Sequence, residues 1–213
     1  MQQLPLQISP RPEPGFDNYL PGANAEALQS VRALATQTLA ERIVYLWGEL
    51  GSGRSHLLHA AAKANAALTI VDDVEALGAD AQQALFAAIN AARDGHGGVL
   101  AAGNAPPAQL PLRADVRTRL AWGLAYQLKP LSDAEKALHL QAAALARGLE
   151  MSAEVAAYLL SRLPRDLSSL NYVLDLLDRH SLARRRPLTV PLVREALAAE
   201  PEGADMPRQT GSP

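Results

Sequence analysis

Gly48-Glu49-Leu50-Gly51-Ser52-Gly53, followed by Arg54 and Ser55, is the stretch of this chain best suited to bind an anion. The spacing fits G-x-x-x-x-G-K-[ST], with Arg54 where lysine is usual. In such a loop successive backbone N–H groups converge on a phosphate, and the helix that follows adds its partial positive charge. The residues expected to line a nucleotide are Gly48, Gly51, Ser52, Gly53, Arg54, Ser55 and His56. Lysine is a compact point charge, whereas arginine is a wide planar fork. Arg54 is therefore expected to neutralise a phosphate in a different pose, with binding retained and rapid hydrolysis lost. The competing reading is an ordinary glycine turn between a strand and a helix. The arginine favours that reading; Ser55, a hydroxyl where Mg²⁺ needs one, and an acidic pair downstream weigh against it.

The elements that must position this loop are legible on both sides. Ile43 to Trp47 is a β-branched and aromatic run that reads as a buried strand, and Ser55 to Asn65 reads as a helix. The chain then turns at once into Ala67 to Val71, an apolar strand ending in Asp72-Asp73. Asp72 is the expected Mg²⁺ ligand with Ser55, and Asp73 the acid that would polarise an attacking water. A strand ending in two aspartates is also a common turn signal. A helix is predicted over Asp80–Arg93 and a strand over Val99–Ala102, ending at Gly103-Asn104. Asn104 either contacts a γ-phosphate or simply initiates the turn before Ala-Pro-Pro. A helical turn at Val116–Leu120, carrying Arg117 and Arg119, and a strand at Leu124–Leu128 complete this part.

Upstream, Phe16-Asp17-Asn18-Tyr19 reads either as a cover for a nucleotide base or as a packed loop. Asn24 is placed to cap a helix running to about Leu39. Downstream, Ser132-x-x-Glu135 is a capping box that opens a helix to about Arg147. Further helices are expected from Ser152 to Leu163, from Arg165 to Arg179, and from Val190 to Ala199 with Thr189 as cap. Arg184-Arg185-Arg186 reads as a solvated loop. The expected organisation is a flexible tail at 1–15, an α/β base at 16–130, a helical lid at 131–200 and a disordered tail at 201–213.

Composition narrows the function classes. The formal net charge is −2, with ten basic and eleven acidic residues on each side of the Lys129–Pro130 boundary, so strong autonomous DNA binding is not expected. There is no cysteine, hence no disulfide framework and no thiolate metal site. No apolar run approaches membrane-spanning length, and the N-terminus lacks a signal pattern; a cytoplasmic location is the expectation. His56 and His59 share a helix face but lack a third ligand, so no zinc site is read there. Near the start, Gln3, Leu4 and Leu6 resemble the short Gln-Leu-x-Leu peptides that dock in the apolar pocket of the DNA polymerase sliding clamp.

Taken together these motifs have a collective identity. Phe16-Asp17-Asn18-Tyr19 with Gly22 and Asn24, Gly51 to Ala60, Asp72-Asp73, Pro106-Pro107-x-Gln109-Leu110, Arg119 to Gly123 and Leu188 to Leu197 stand in one order along nearly the whole chain. In that order they resemble the DnaA-related AAA+ family, and within it the Hda-type regulators more than the initiators. The clamp-like tail, the arginine in the P-loop and the lack of sequence for a DNA-binding domain after the lid favour that branch. The resemblance implies an AAA+ P-loop NTPase-like parallel sheet with a C-terminal helical lid. It implies bound ADP (or ATP) with Mg²⁺, and docking on the DNA polymerase III sliding clamp (beta subunit) on DNA. It also implies stimulated hydrolysis of DnaA-bound ATP, which prevents re-initiation of replication. Arg119 matches the family's arginine finger in trans, Arg165 its sensor arginine, and Asn104 lies near its first sensor position. The family places a further strand and helices where this chain runs from Asn65 to Leu68. The missing strand is an edge strand, so four parallel strands are expected to close without it, while interfaces that use the segment, including those of a homo-oligomer, are altered. The alternatives are an autonomous ATPase of the helicase-loader-like class and a structural member that binds no nucleotide.

Overall fold

The computed structural model describes residues 13–162, 170, 172–178 and 188–199. They fall into two compact units divided between Leu131 and Ser132.

The first unit is built on four parallel strands: β1 (Ile43–Gly48), β2 (Thr69–Val71), β3 (Val99–Gly103) and β4 (Leu124–Leu128). Their spatial order is β2-β3-β1-β4. Ile43 faces Val99 and Trp47 faces Gly103 across β1 and β3, while Val44 to Gly48 face Leu124 to Leu128 of β4. The two central strands are apolar throughout, as expected of a parallel sheet covered on both faces. Their side chains alternate between two cores. Val44, Leu46, Leu100 and Ala102 join Val31, Leu34, Leu57 and Leu58 on one face. Ile43, Tyr45, Val99 and Ala101 join Leu85, Ile89, Val116 and Leu120 on the other.

The first face is covered by α1 (Ala25–Ala35) and α2 (Arg54–Ala64), the second by α3 (Ala79–Arg93) and α4 (Ala114–Leu120). The sheet closes without a fifth strand because the α2–β2 connection is tight. Asn65 donates its side-chain amide to Ala35 O at 3.1 Å, and accepts from Ala67 N at its side chain (3.0 Å) and from Leu68 N at its carbonyl (3.2 Å). Gly123 brings the chain against β1: a Cβ there would lie 2.2 Å from Ile43 O.

Two expectations need correction. The first helix ends at Ala35, four residues short of Leu39, and Asn24 makes no side-chain cap bond. Its amide is used across the unit instead, donating to Lys129 O and accepting from Lys129 N, both at 2.8 Å. That pairing satisfies two backbone groups beyond the end of β4, so the long-range demand outcompetes the local cap.

The second unit holds α5 (Asp133–Ala146), α6 (Ala153–Arg162), helical residues 172–178 (α7) and α8 (Val190–Ala199). The Ser132–Glu135 capping box forms in full: Ser132 Oγ accepts from Glu135 N, and the Glu135 carboxylate accepts from Ser132 N. Thr189 Oγ1 accepts from Leu192 N at 3.5 Å at the start of α8. Leu140, Ala144, Val155, Leu159, Leu174, Leu177 and Val193 form the buried core. Arg147 ties α5 to α7 through Asp175 at 2.7 Å.

Candidate functional site

The glycine loop joins the C-terminal end of β1 to the N-terminus of α2, and two of its glycines are conformationally required. Gly53 has φ +95°, and a Cβ there would lie 2.9 Å from the Tyr19 ring. Gly51 has φ +79° with open space around it. Only glycine adopts such backbone freely. Gly48 passes close to β4; a Cβ would lie 2.3 Å from Leu128 O.

The loop delivers unpaired donors to one place. The backbone N–H groups of Arg54, Ser55 and His56, the first turn of α2, have no hydrogen-bond partner among the described residues. Ser52 is 4% exposed, and its buried Oγ has no partner. Arg54 Nη1 is likewise buried and unpartnered. Leaving buried polar groups unsatisfied costs free energy, so donors gathered in this way suit an anionic ligand. The residue types and the orphaned atoms fit a phosphate.

Beside these donors, Ser55 Oγ donates to Asp72 Oδ2 at 2.7 Å, and Asp72 Oδ1 accepts from Asp73 N at 2.9 Å. Hydroxyl and carboxylate, from α2 and the end of β2, are thus adjacent. Among the described residues no group of three or more His, Cys, Asp or Glu side chains could hold a metal ion. A single carboxylate with one hydroxyl is what Mg²⁺ uses when phosphates and water supply its other ligands. Asp73 is exposed and left-handed, with φ +45°.

Asn104 follows β3 and is exposed; its backbone N donates to Glu75 Oε2 at 3.3 Å. Nearby Tyr45 is fully buried and donates its hydroxyl to Ala105 O at 2.7 Å. Burial chiefly, and then the Glu75 carboxylate, push the Tyr45 phenol far above its usual range, while the Arg54 charge acts the other way. The Glu75 carboxylate thus lies at the end of β3, beside Gly103 and the Asn104 backbone. Glu75 is a carboxylate at this site that sequence reasoning passed over, because its relation to β3 arises from sheet order.

The loop before α1 is packed. Tyr19 is 8% exposed, lies against Gly53, and sits 5.3 Å from the His56 ring. His56 Nε2 pairs with Gly15 O at 2.9 Å, and Lys63 bridges Glu13 at 2.7 Å. His56 and His59 do not converge on a ligand: His59 Nδ1 pairs with Ser55 O.

Arg119 lies on α4, and none of its partners belongs to the glycine loop. Its Nε donates to Asn90 Oδ1 at 2.9 Å and its Nη1 to Asp115 O at 3.3 Å. Its Cζ stands 4.0 Å from the Phe86 ring centroid and 5.0 Å from that of Trp122. Gln3, Leu4, Leu6 and Arg165 fall outside the described residues.

A parallel α/β sheet with a glycine loop between a central strand and the next helix, an acidic pair after the edge strand β2, and a separate helical unit is the fold of AAA+ P-loop modules. Solved structures share the fold. Domain III of the replication initiation protein DnaA from Thermotoga maritima superposes with a TM-score of 0.69 at 16% identity, covering 89% of this chain and 98% of that one. AMPPCP-bound DnaA from Aquifex aeolicus gives 0.67 at 20% identity, over 82% of this chain and 69% of that one. A RuvB structure from Thermotoga maritima gives 0.64 at 14% identity, over 87% and 71%. Residues 133–197 match the family model described as Hda, lid domain. Over that span the sequence is similar to the Hda lid, and the fold resembles that of the DnaA-related AAA+ proteins. No helix among the described residues is long and apolar enough to cross a membrane.

Proposed function

We propose that this protein regulates replication initiation by binding ADP, docking on the DNA-loaded sliding clamp and stimulating hydrolysis of ATP held by DnaA. The observation that carries the reading is the placement of Arg119. It stands outside the chain's own P-loop, on a chain whose residues 133–197 are similar to the Hda lid. An arginine so placed is available to a second protein's nucleotide, where arginine fingers contribute roughly 10³ to 10⁵ in rate by stabilising transition-state charge.

The chain's own site would hold its nucleotide through the α2 N–H groups, Ser52 and Arg54, with Ser55 and Asp72 holding Mg²⁺. A bound Mg²⁺ supplies neutralisation of phosphate charge. Asn104 and His56 belong to the nucleotide site, Arg165 is the sensor arginine that the resemblance implies, and Asp73 is the acid available to a water. Gln3, Leu4 and Leu6 would engage the clamp. The base at 16–130 carries nucleotide and finger, and the lid spans 131–200.

A second reading, an autonomous ATPase, is favoured by the Ser55–Asp72 contact and the exposed Asp73, which leave the metal and acid positions intact. The deciding experiment measures hydrolysis of DnaA-bound ATP with this protein, ADP and clamp loaded on DNA, omitting each in turn. Stimulation that needs the clamp, Arg119 and the tail leucines supports the regulator. Turnover by the isolated protein, with no stimulation of DnaA, supports the ATPase.

A further inference from the structure

The surroundings of Arg119 are unusual for a surface cation. The carboxylate of Asp115, one turn before it on α4, is already engaged: Oδ2 accepts from Arg113 Nη2 at 2.6 Å and Oδ1 from Val116 N at 2.9 Å. Asp115 offers Arg119 only its neutral backbone carbonyl. The partner of Nε is the amide oxygen of Asn90, also neutral. The rest of the support is aromatic, from Phe86 and Trp122, and Trp122 in turn carries Arg93 at 4.3 Å from its ring centroid.

These contacts fix the group without discharging it. Two in-plane hydrogen bonds, from Nε and Nη1, set the rotation of the guanidinium. The Phe86 ring sets its tilt. Nη2 has no hydrogen-bond partner among the described residues. Phe86, Asn90 and Arg93 are spaced four and three residues apart on α3, so one helical stripe meets Arg119 and Trp122. A long side chain held in this way loses less freedom on meeting an anion than a free one would.

We propose that Asn90 and Phe86 are positioning residues, which hold Arg119 oriented and uncompensated so that its Nη2 edge meets a phosphate oxygen of a nucleotide bound by the partner. This inference rests on the reading of Arg119 as a finger in trans. The neutrality of Asn90 is its central feature: an aspartate there would keep the hydrogen bond and add a salt bridge, cancelling the charge that the phosphate requires.

The test is single-turnover hydrolysis of ATP preloaded on DnaA, with DNA-loaded clamp, over a range of concentrations of this protein. The plateau rate and the half-saturating concentration are read separately for wild type, Asn90→Leu, Asn90→Asp, Phe86→Leu and Arg119→Ala, and thermal unfolding checks each variant's fold. Arg119→Ala is expected to lower the plateau about 10³-fold or more. Asn90→Leu and Phe86→Leu are expected to lower it about 10- to 100-fold with half-saturation unchanged, the size of effect that misplacing a reacting group produces. Asn90→Asp is the discriminating variant, because a merely structural Asn90 tolerates it. It is expected to lower the plateau at least as far as Asn90→Leu while unfolding at the same or a higher temperature.

A wild-type plateau in both folded Asn90 variants, or a change confined to half-saturation, overturns the positioning role and leaves the finger intact. Should Asn90→Leu not fold, Asn90→Asp and Phe86→Leu decide alone. No stimulation by wild type, or full stimulation by Arg119→Ala, overturns the parent reading and this inference together.

Discussion

Replacing Gly53 by alanine probes how the loop before α1 is tied to the P-loop. Two costs are readable at this position. The backbone has φ +95°, where an L-residue with a Cβ is destabilised by ~1–2 kcal/mol. The new methyl would also lie 2.9 Å from Tyr19 Cε2 and 3.2 Å from its hydroxyl. Tyr19 is 8% exposed and packed in the core with Leu28 and Leu57, so its ring has little room to withdraw. Overpacking of this kind costs ~1–3 kcal/mol. The sum is ~2–5 kcal/mol, which for a chain of this size lowers the unfolding temperature by ~4–20 °C. Gly51 is the internal control. Its φ is +79° but nothing lies within 4 Å of where an added methyl would stand, so Gly51→Ala carries the backbone cost alone. Thermal and urea unfolding of both variants, repeated in a Tyr19→Ala background, separates the two contributions. Gly53→Ala is expected to be the more damaging by ~1–3 kcal/mol, and that excess should vanish without the Tyr19 ring. Equal costs for the two glycines, or an excess that survives Tyr19→Ala, would refute the packing argument.

Two further outcomes follow from the site. Tyr45→Phe removes the hydrogen bond to Ala105 O and should cost ~1 kcal/mol at neutral pH. The folded phenol titrates far above its unfolded value near 10.0, so the wild type keeps its full stability below that pH and loses it as pH rises beyond. The gap between wild type and Tyr45→Phe should therefore narrow above about pH 10, as followed by urea unfolding across an alkaline series. Ser55→Ala removes the hydroxyl that donates to Asp72, so Mg²⁺ should no longer raise nucleotide affinity, while binding in EDTA stays within about threefold of wild type. Titration calorimetry with ADP, with and without Mg²⁺, checks it; a Mg²⁺ effect equal to wild type would remove Ser55 from the metal site.

Much of the base was legible before folding because its signals are local. The apolar run Ile43 to Trp47, the glycine spacing that follows, and the Ser132–Glu135 box each specify backbone geometry within a few residues. The same holds for the acidic pair: a strand that ends in Asp72 places its carboxylate at the sheet's C-terminal edge. The four-strand sheet could also be read, since strand count follows from the number of apolar segments.

Other features depend on residues far apart in the chain. Asn24 stands at a cap position by every local criterion, yet its amide pairs with the Lys129 backbone, because satisfying two part-buried backbone groups outweighs one helix-end donor. Glu75 enters the site only because β2 and β3 are neighbours. Arg119 could be marked as a cation on a short helix. That its charge is held by Asn90 and Phe86, with no ion pair to a carboxylate among the described residues, is decided by the packing of α3 against α4. Residue type and spacing thus determine which groups are available and which backbone shapes they favour. Tertiary structure decides which of them meet, because hydrogen bonds and ring stacking act over a few ångströms, and only folding brings distant residues that close.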